Sequence, residues 1–422
     1  MDVPTLLAAG SNGRGQLATG DSRDAHFFTP CKFAHHESST SPPDIISIDG
    51  GGNHTLALLS WVNDSVTSLE VWGCGEGAKG QLGPGFNADS EGRHGDESAV
   101  LRPLVLPWEE QGLFGYTISH VAACWETSFF VLRKKDQHDI LTSMGGNDFG
   151  DLGIGDLPSK QKIKAPFHII DLSPIVGSTA QHVSIIDVTA GPHHVIVLLR
   201  ADKKQYVAGW GTARHGQLGP LLTPSGRPLP FSPSPIAIDL PIDLHLDPIL
   251  SVRVGNQHSV FLHASGHIST LGSNAKGQLQ GLRTAEDVQA IDCTWNGTYT
   301  QTPLGLLSTG TNARGQLGRQ EQASNVPSGA VRFPVEARVL DFACGSEHVL
   351  AVVESQGRVA VWGWGWNEHG NLGTGSLEDV DVPVKIWPPL AAESEAMTSI
   401  AVRVWAGCGT SWIAVSKCCG PP

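Results

Sequence analysis

The sequence predicts an all-β chain, a seven-bladed β-propeller closed by pairing of its N- and C-terminal strands, and three observations predict it. An octapeptide frame with glycine at its first and sixth positions and leucine at its eighth occurs seven times: Gly10 to Leu17, Gly75 to Leu82, Gly145 to Leu152, Gly211 to Leu218, Gly272 to Leu279, Gly310 to Leu317 and Gly365 to Leu372. A second frame, Gly-x-x-His ahead of an apolar run, or a variant of it, also occurs seven times. The order of the two frames supplies the third observation. The chain opens on an octapeptide with no second frame before it, and closes on a second frame, Gly407 to Val415, with no octapeptide after it. The two orphans complete one blade if the strand near Leu6 to Ala9 joins the strand near Trp412 to Val415. Closure leaves only short, protected strand edges, whereas an open solenoid needs capping repeats, and none is visible.

Each element follows from its residues. The octapeptide is a turn: its glycines tolerate positive φ or let another backbone pass close, the Asn, Asp and Ser between them bond locally to the backbone, and its leucine must be buried. Short apolar runs precede it, as at Thr5 to Ala9, Leu69 to Trp72, Val207 to Trp210 and Arg358 to Trp364. The second frame is clearest at Gly51 to His54, Gly191 to His194, Gly255 to His258 and Gly345 to His348, each before a β-type run. Cys124 to Thr127, Thr294 to Gly297 and Gly407 to Thr410 are its variants. The octapeptide spacing is shortest between 272 and 310, so the fifth blade, near 290, should be close to minimal. Residues 1–422 read as one propeller domain with surface-loop inserts near 83–112 and 220–248; the second is proline-rich and unfit for a central strand.

Composition narrows the function. Glycine supplies 50 of 422 residues, above the usual share of about 7%, and the repeated turns account for the surplus. The net charge of −13 is poorly suited to holding phosphate backbones, so no direct DNA binding is expected. Eight cysteines without a C-x-x-C pair suit a reduced compartment, cytoplasmic or nuclear. The N-terminus lacks a basic n-region and no apolar run reaches a membrane span, so no membrane partner is expected.

Several motifs invite a chemical reading. Gly75 to Gly80 matches G-x-G-x-x-G, but no helix follows and the other copies lack the middle glycine, so it is a turn. His54, His194, His258 and His348 recur at one repeat position, and equivalent positions spread around a ring cannot converge on a metal. They should tie adjacent strands or blades by hydrogen bonds. No triad spacing, defensible carboxylate pair, metal site or cofactor site emerges, and the expectation is a protein without enzymatic activity. Where histidine is replaced, a tryptophan lies nearby: Trp125, Trp295 and Trp412. Each either fills space near the shaft or anchors a partner, and for Trp412 filling is the simpler account. Glu126 and Asn296 add polar neighbours, and Trp366, Glu368 and His369 stand in a turn that should be exposed.

The paired frames, with Trp72-Gly73 before Gly80-Gln-Leu-Gly83 and Gly272 before Gly277-Gln-Leu279, resemble the regulator of chromosome condensation repeat of seven-bladed propellers. Within that family, Cys124-Trp-Glu, the run from Cys293 to Tyr299 and the run from Gly363 to Gly370 look like the fungal alpha-tubulin suppressor branch, also called the killer-toxin-insensitivity propeller. The resemblance implies a non-enzymatic partner of a small zinc-binding electron carrier that serves diphthamide synthesis and Elongator-dependent modification of the tRNA wobble uridine. It makes Trp125, Glu126, Trp295, Asn296, Tyr299, Trp366, Glu368, His369 and Trp412 the candidate partner-binding residues. The alternative is a guanine nucleotide exchange factor for a small Ran-like GTPase, with the 83–112 insert as its wedge.

Overall fold

The computed structural model describes residues 5–35, 43–63, 66–86, 96–155, 167–319, 328–389 and 400–417. Seven antiparallel sheets stand around a central shaft. Blade one holds Asp44–Gly50, His54–Asn63, Val66–Gly75 and Arg102–Pro103; blade two holds Thr117–Ala123, Thr127–Arg133, Ile140–Gly145 and His168–Ile169. Blade three holds Val183–Ala190, His194–Ala201, Lys204–Thr212 and Phe231–Ala237; blade four holds Ile249–Val254, His258–His263 and Ile268–Gly272. Blade five holds Ala290–Thr294, Gly297–Thr302, Gly305–Gly310 and Ser328–Ala330; blade six holds Arg338–Cys344, His348–Ser355, Arg358–Gly365 and Val380–Trp387. Blade seven joins Ile400–Ala406 and Thr410–Lys417 from one end of the chain to Thr5–Gly10 and Ala25–Pro30 from the other, with Leu7 opposite Ile413. The first strand of each blade touches the first strand of the next, and Ile400–Ala406 touches Asp44–Gly50, which closes the ring.

The octapeptide builds the turn its residues dictate. Both framing glycines have positive φ in all seven copies, from 125° at Gly310 to 74° at Gly315. A Cβ on the first glycine would collide with a carbonyl of its own blade, at Gly365 that of Glu347, so conformation and close approach both demand glycine there. Where the third residue is asparagine, its side-chain oxygen accepts the amide of the terminal leucine, as Asn12 does from Leu17 at 2.9 Å and Asn367 from Leu372 at 2.9 Å. Where the seventh residue is glutamine or aspartate it turns back to accept an amide within the turn, as Gln16 does from Arg14 and Gln278 from Lys276, whereas Asn371 donates to the Trp366 carbonyl. Thus held, Leu17, Leu82, Leu152, Leu218, Leu317 and Leu372 are at most 2% exposed. Each burial is worth about 2 kcal/mol. Leu279 is only half-buried because its blade lacks an outer strand.

The core lies between blades. Leu56, Leu58 and Val71 of blade one pack on Ile118, Val121 and Phe130 of blade two, and the pattern repeats around the ring. Trp210 and Trp364 are wholly buried and donate their indole N–H to the carbonyls of Asp151 and Gln316 in the preceding blade's turn. A buried indole needs that partner.

Two expectations about the inserts and spacing are corrected. The minimal blade is blade four, which has three strands, while the blade containing residue 290 has four. The short spacing arises because, after Gly272, the chain takes a 3-10 turn at Leu282–Thr284 where the other blades add an outer strand. Neither insert is purely a surface loop: Arg102–Pro103 and Phe231–Ala237 are the outer strands of blades one and three. Pro233 and Pro235 are tolerated there because an edge strand leaves one side of its ladder open. Residues 87–95 of the first insert, His36, Cys418 and Cys419 lie outside the described residues.

Candidate functional site

Both turn frames lie at one end of the ring. The register places His54 opposite Gly75, Thr127 opposite Gly145, His194 opposite Gly211 and His258 opposite Gly272. Gly297 likewise faces Gly310, His348 faces Gly365 and Thr410 faces Gly10. One face therefore carries fourteen turns, two per blade.

The histidines tie blade to blade. The His54 ring nitrogen Nε2 meets the Ser128 hydroxyl at 3.0 Å, His194 meets Ser259 at 3.2 Å, His258 meets Thr298 at 3.1 Å and His348 meets Ser411 at 2.9 Å. Burial lowers His54, His258 and His348 to about 4 and His194 to about 3, so all four are neutral at pH 7. The leading glycine makes room, because a Cβ at Gly51, Gly255 or Gly345 would strike the ring of the frame's own histidine. Among the described residues no group of three or more His, Cys, Asp or Glu is placed to hold a metal.

Blades two and five do something else with the same turn. Their second turn residues, Trp125 and Trp295, come from well-separated positions on the ring and meet with ring centroids 6.1 Å apart. Both are half-buried and both line the shaft, which has a volume of about 440 Å³. Their backbones are fixed by the neighbouring blades: the Trp125 amide bonds to Pro192 and the Trp295 amide to Ser346. The third turn residues surround the pair with polar groups. Glu126 pairs with Lys79 at 3.5 Å, and Asn296 donates to Glu347 at 2.9 Å. Below the indoles the shaft is acidic. Asp49, Asp187, Asp292 and Asp341 line it with Arg253, which lies 3.5 Å from Asp187 and 3.7 Å from Asp292. Burial pushes the Asp49 carboxyl up to about 7 and also raises Asp292 and Asp341.

Trp366, Glu368 and His369 sit in the blade-six turn, away from the shaft lining. Trp366 donates to Glu368 at 3.2 Å and meets the His369 ring edge-on at 5.3 Å, while His369 pairs with Asp24 of blade seven at 2.7 Å. This group is partly exposed and also ties two blades together.

Tyr299 and Trp412 do not belong to a binding surface. They are 0% and 2% exposed, and the Tyr299 hydroxyl donates to the Gln316 carbonyl. Each stands two residues past the fourth position of its second frame, the slot filled by Leu56, Phe129, Ile196, Val260 and Leu350 in the other blades, all buried. They are core side chains.

The sequence reading passed over two features. Phe149 meets His193 at a tilt with centroids 4.4 Å apart, and His193 lies 6.4 Å from Trp125, so an aromatic row leads outward from the shaft mouth. The signal was present: the fifth octapeptide residue is Arg14, Lys79, His215, Lys276, Arg314 or His369 in the other six copies. The hydroxyl partners of the histidines were legible too. Ser128, Ser259, Thr298 and Ser411 each follow a blade that has the histidine, Val195 and Val349 follow blades that lack it, and Thr55, after blade seven, spends its hydroxyl on the Gln16 carbonyl.

A rigid ring with one face of short, braced turns and with Trp125 and Trp295 meeting at its centre is the architecture of a repeat propeller. The family model for the regulator of chromosome condensation (RCC1) repeat matches residues 305–352 and 360–409. Those residues carry RCC1 repeats, and the chain as a whole resembles RCC1-repeat propellers. It is 27% identical to the ultraviolet-B receptor UVR8 of Arabidopsis thaliana, over 96% of this chain and 82% of that one. It is 28% identical to the secretion-regulating guanine nucleotide exchange factor of Bos taurus, over 90% and 79%. An RCC1 repeat-containing protein of Schizosaccharomyces pombe is 26% identical over 98% of this chain and 99% of its own. The crystal structure of Prp20p from Saccharomyces cerevisiae shares the fold, with a TM-score of 0.72 at 17% identity over 99% of this chain and 92% of that one.

Proposed function

We propose that the chain is a non-enzymatic docking propeller whose glycine-turn face receives a protein partner at the shaft mouth. The observation that carries this is the meeting of Trp125 and Trp295, which are half-exposed, held by backbone bonds from both sides and ringed by Glu126, Asn296 and Glu347. Preorganised indoles bury area at little ordering cost, and the acidic surroundings favour a partner with complementary positive charge. The sequence resemblance nominates that partner as a small zinc-binding electron carrier serving diphthamide synthesis and Elongator-dependent wobble-uridine modification. Such a role belongs in the cytoplasm or nucleus.

Affinity capture with the purified chain tests it. A stoichiometric small cysteine-rich zinc protein is the expected catch, and Trp125→Ala with Trp295→Ala should abolish capture while Tm moves little. Loss of Tm comparable to a core substitution would mean that the indoles fill space only.

A second reading, nucleotide exchange on a small GTPase, is supported by the relation to the secretion-regulating exchange factor across 90% of the chain. Catalysed release of labelled GDP from a panel of small GTPases, with no zinc protein captured, would reverse the ranking.

A further inference from the structure

Beside the shaft mouth, a cleft of about 590 Å³ runs between the turns of blades two, three and four. Phe149, His193, Pro230 and Phe231 make its apolar wall, and Arg214 and His215 stand on the octapeptide turn that borders it. Four other turns pair the cation or histidine at their fifth position with an acid. Arg14 pairs with Glu76 at 3.4 Å, Lys79 with Glu126 at 3.5 Å, Arg314 with Asp379 at 3.2 Å and His369 with Asp24 at 2.7 Å. Arg214, one position earlier in its turn, makes no ion pair among the described residues, and blade four offers Gln257 and Ser273 at the places where blades two and one carry Glu126 and Glu76. On a chain of net charge −13, an unpaired guanidinium beside exposed aromatic surface marks a complementary ligand.

The backbone decides which anion fits. Four amides of this turn are already used: Thr212 donates to His193, Ala213 to Pro230, His215 to Gln217 and Gly216 to Ala213. No cradle of free N–H groups remains for a phosphate, and Asp148 on the same lining opposes a dianion. A single carboxylate can take the planar guanidinium fork, and an adjacent aromatic or large aliphatic side chain can cover Phe149 and Phe231.

We propose that this cleft binds an acidic segment of a partner protein, with a carboxylate on Arg214 and a neighbouring aromatic side chain against Phe149 and Phe231. The site does not depend on what occupies the shaft mouth.

The test is fluorescence anisotropy with a labelled acidic pentapeptide carrying a central phenylalanine. The intact chain should bind it, and 0.5 M NaCl should weaken binding (roughly tenfold). Arg214→Ala and Phe149→Ala, both at exposed positions, should each weaken it about tenfold or more with unchanged Tm. Arg214→Glu should lose the acidic peptide and gain its basic counterpart, whereas Trp125→Ala should leave binding in place. Equal binding by Arg214→Ala, equal binding of the peptide with alanine at its centre, or displacement by inorganic phosphate at matching concentration overturns the proposal.

Discussion

Two kinds of joint hold this ring, and they divide its labour. Where blades one, three, four and six meet their successors, a buried histidine reaches a hydroxyl across the gap. Where blades two, five and seven meet theirs, Thr127, Gly297 and Thr410 stand instead, and Thr127 bonds back to its own turn at Gly146. In blades two and five the change is concerted: with the ring gone, the leading glycine gives way to Cys124 or Thr294 and the facing hydroxyl to Val195 or Val349, whereas blade seven keeps Gly407 and faces Thr55. Blades two and five are also those that place tryptophan at the shaft mouth. The comparison teaches that the histidine is a coupler rather than a reagent, and that a blade released from coupling can devote its turn to recognition.

The sharpest way to break the scheme is at the turn both joints share. Gly365→Ala adds a Cβ at φ 99° against the Glu347 carbonyl, and should cost at least ~3 kcal/mol or prevent folding, read by urea denaturation. His348→Ala comes next. It leaves a cavity and removes the partner of Ser411, for a loss of about 2–4 kcal/mol in the same assay. Converting one joint into the other sharpens the comparison further. Val195→Ser alone buries a hydroxyl without a partner and should cost about 1–3 kcal/mol, and Thr127→His alone should clash at Cys124. Combined with Cys124→Gly they should recover most of that loss, a non-additivity that independent sites do not show.

Acid provides a milder perturbation. The four coupling histidines titrate near 3 to 4 when folded, against 6.5 for the free side chain. The unfolded chain therefore binds more protons between those values, so their contribution is complete above pH 6.5 and drains away as pH falls toward 4. His54→Gln should flatten the stability profile in that window, and an unchanged slope in denaturation at pH 5 and 7 would argue against the assignment. The smallest stability change belongs to the other class of blade: Trp125→Ala should shift Tm by no more than a few degrees.

Most of the ring could be read from spacing alone, because each octapeptide carries its own local reasons, glycine for φ and leucine for burial. The orphan frames announced closure, and Leu7 opposite Ile413 realises it. Aligning the frames residue by residue would also have placed Tyr299 and Trp412 inside, since their slot is apolar in every blade. The approach of Trp125 to Trp295 was beyond the sequence, because it depends on the width of the shaft and on backbone positions fixed by the Pro192 and Ser346 carbonyls. Outer strands were misjudged as loops for a related reason: Arg102–Pro103 is two residues long and Phe231–Ala237 contains two prolines, so neither shows strand periodicity.

The seam of blade seven bears on how the chain is made. Thr5–Gly10 lies between Ala25–Pro30 and Thr410–Lys417, so the apolar run from Leu6 to Ala9 leaves the ribosome some four hundred residues ahead of its neighbour. A nascent polypeptide stalled before Thr410 carries an adhesive edge with nothing to cover it, the template for sticking to another copy.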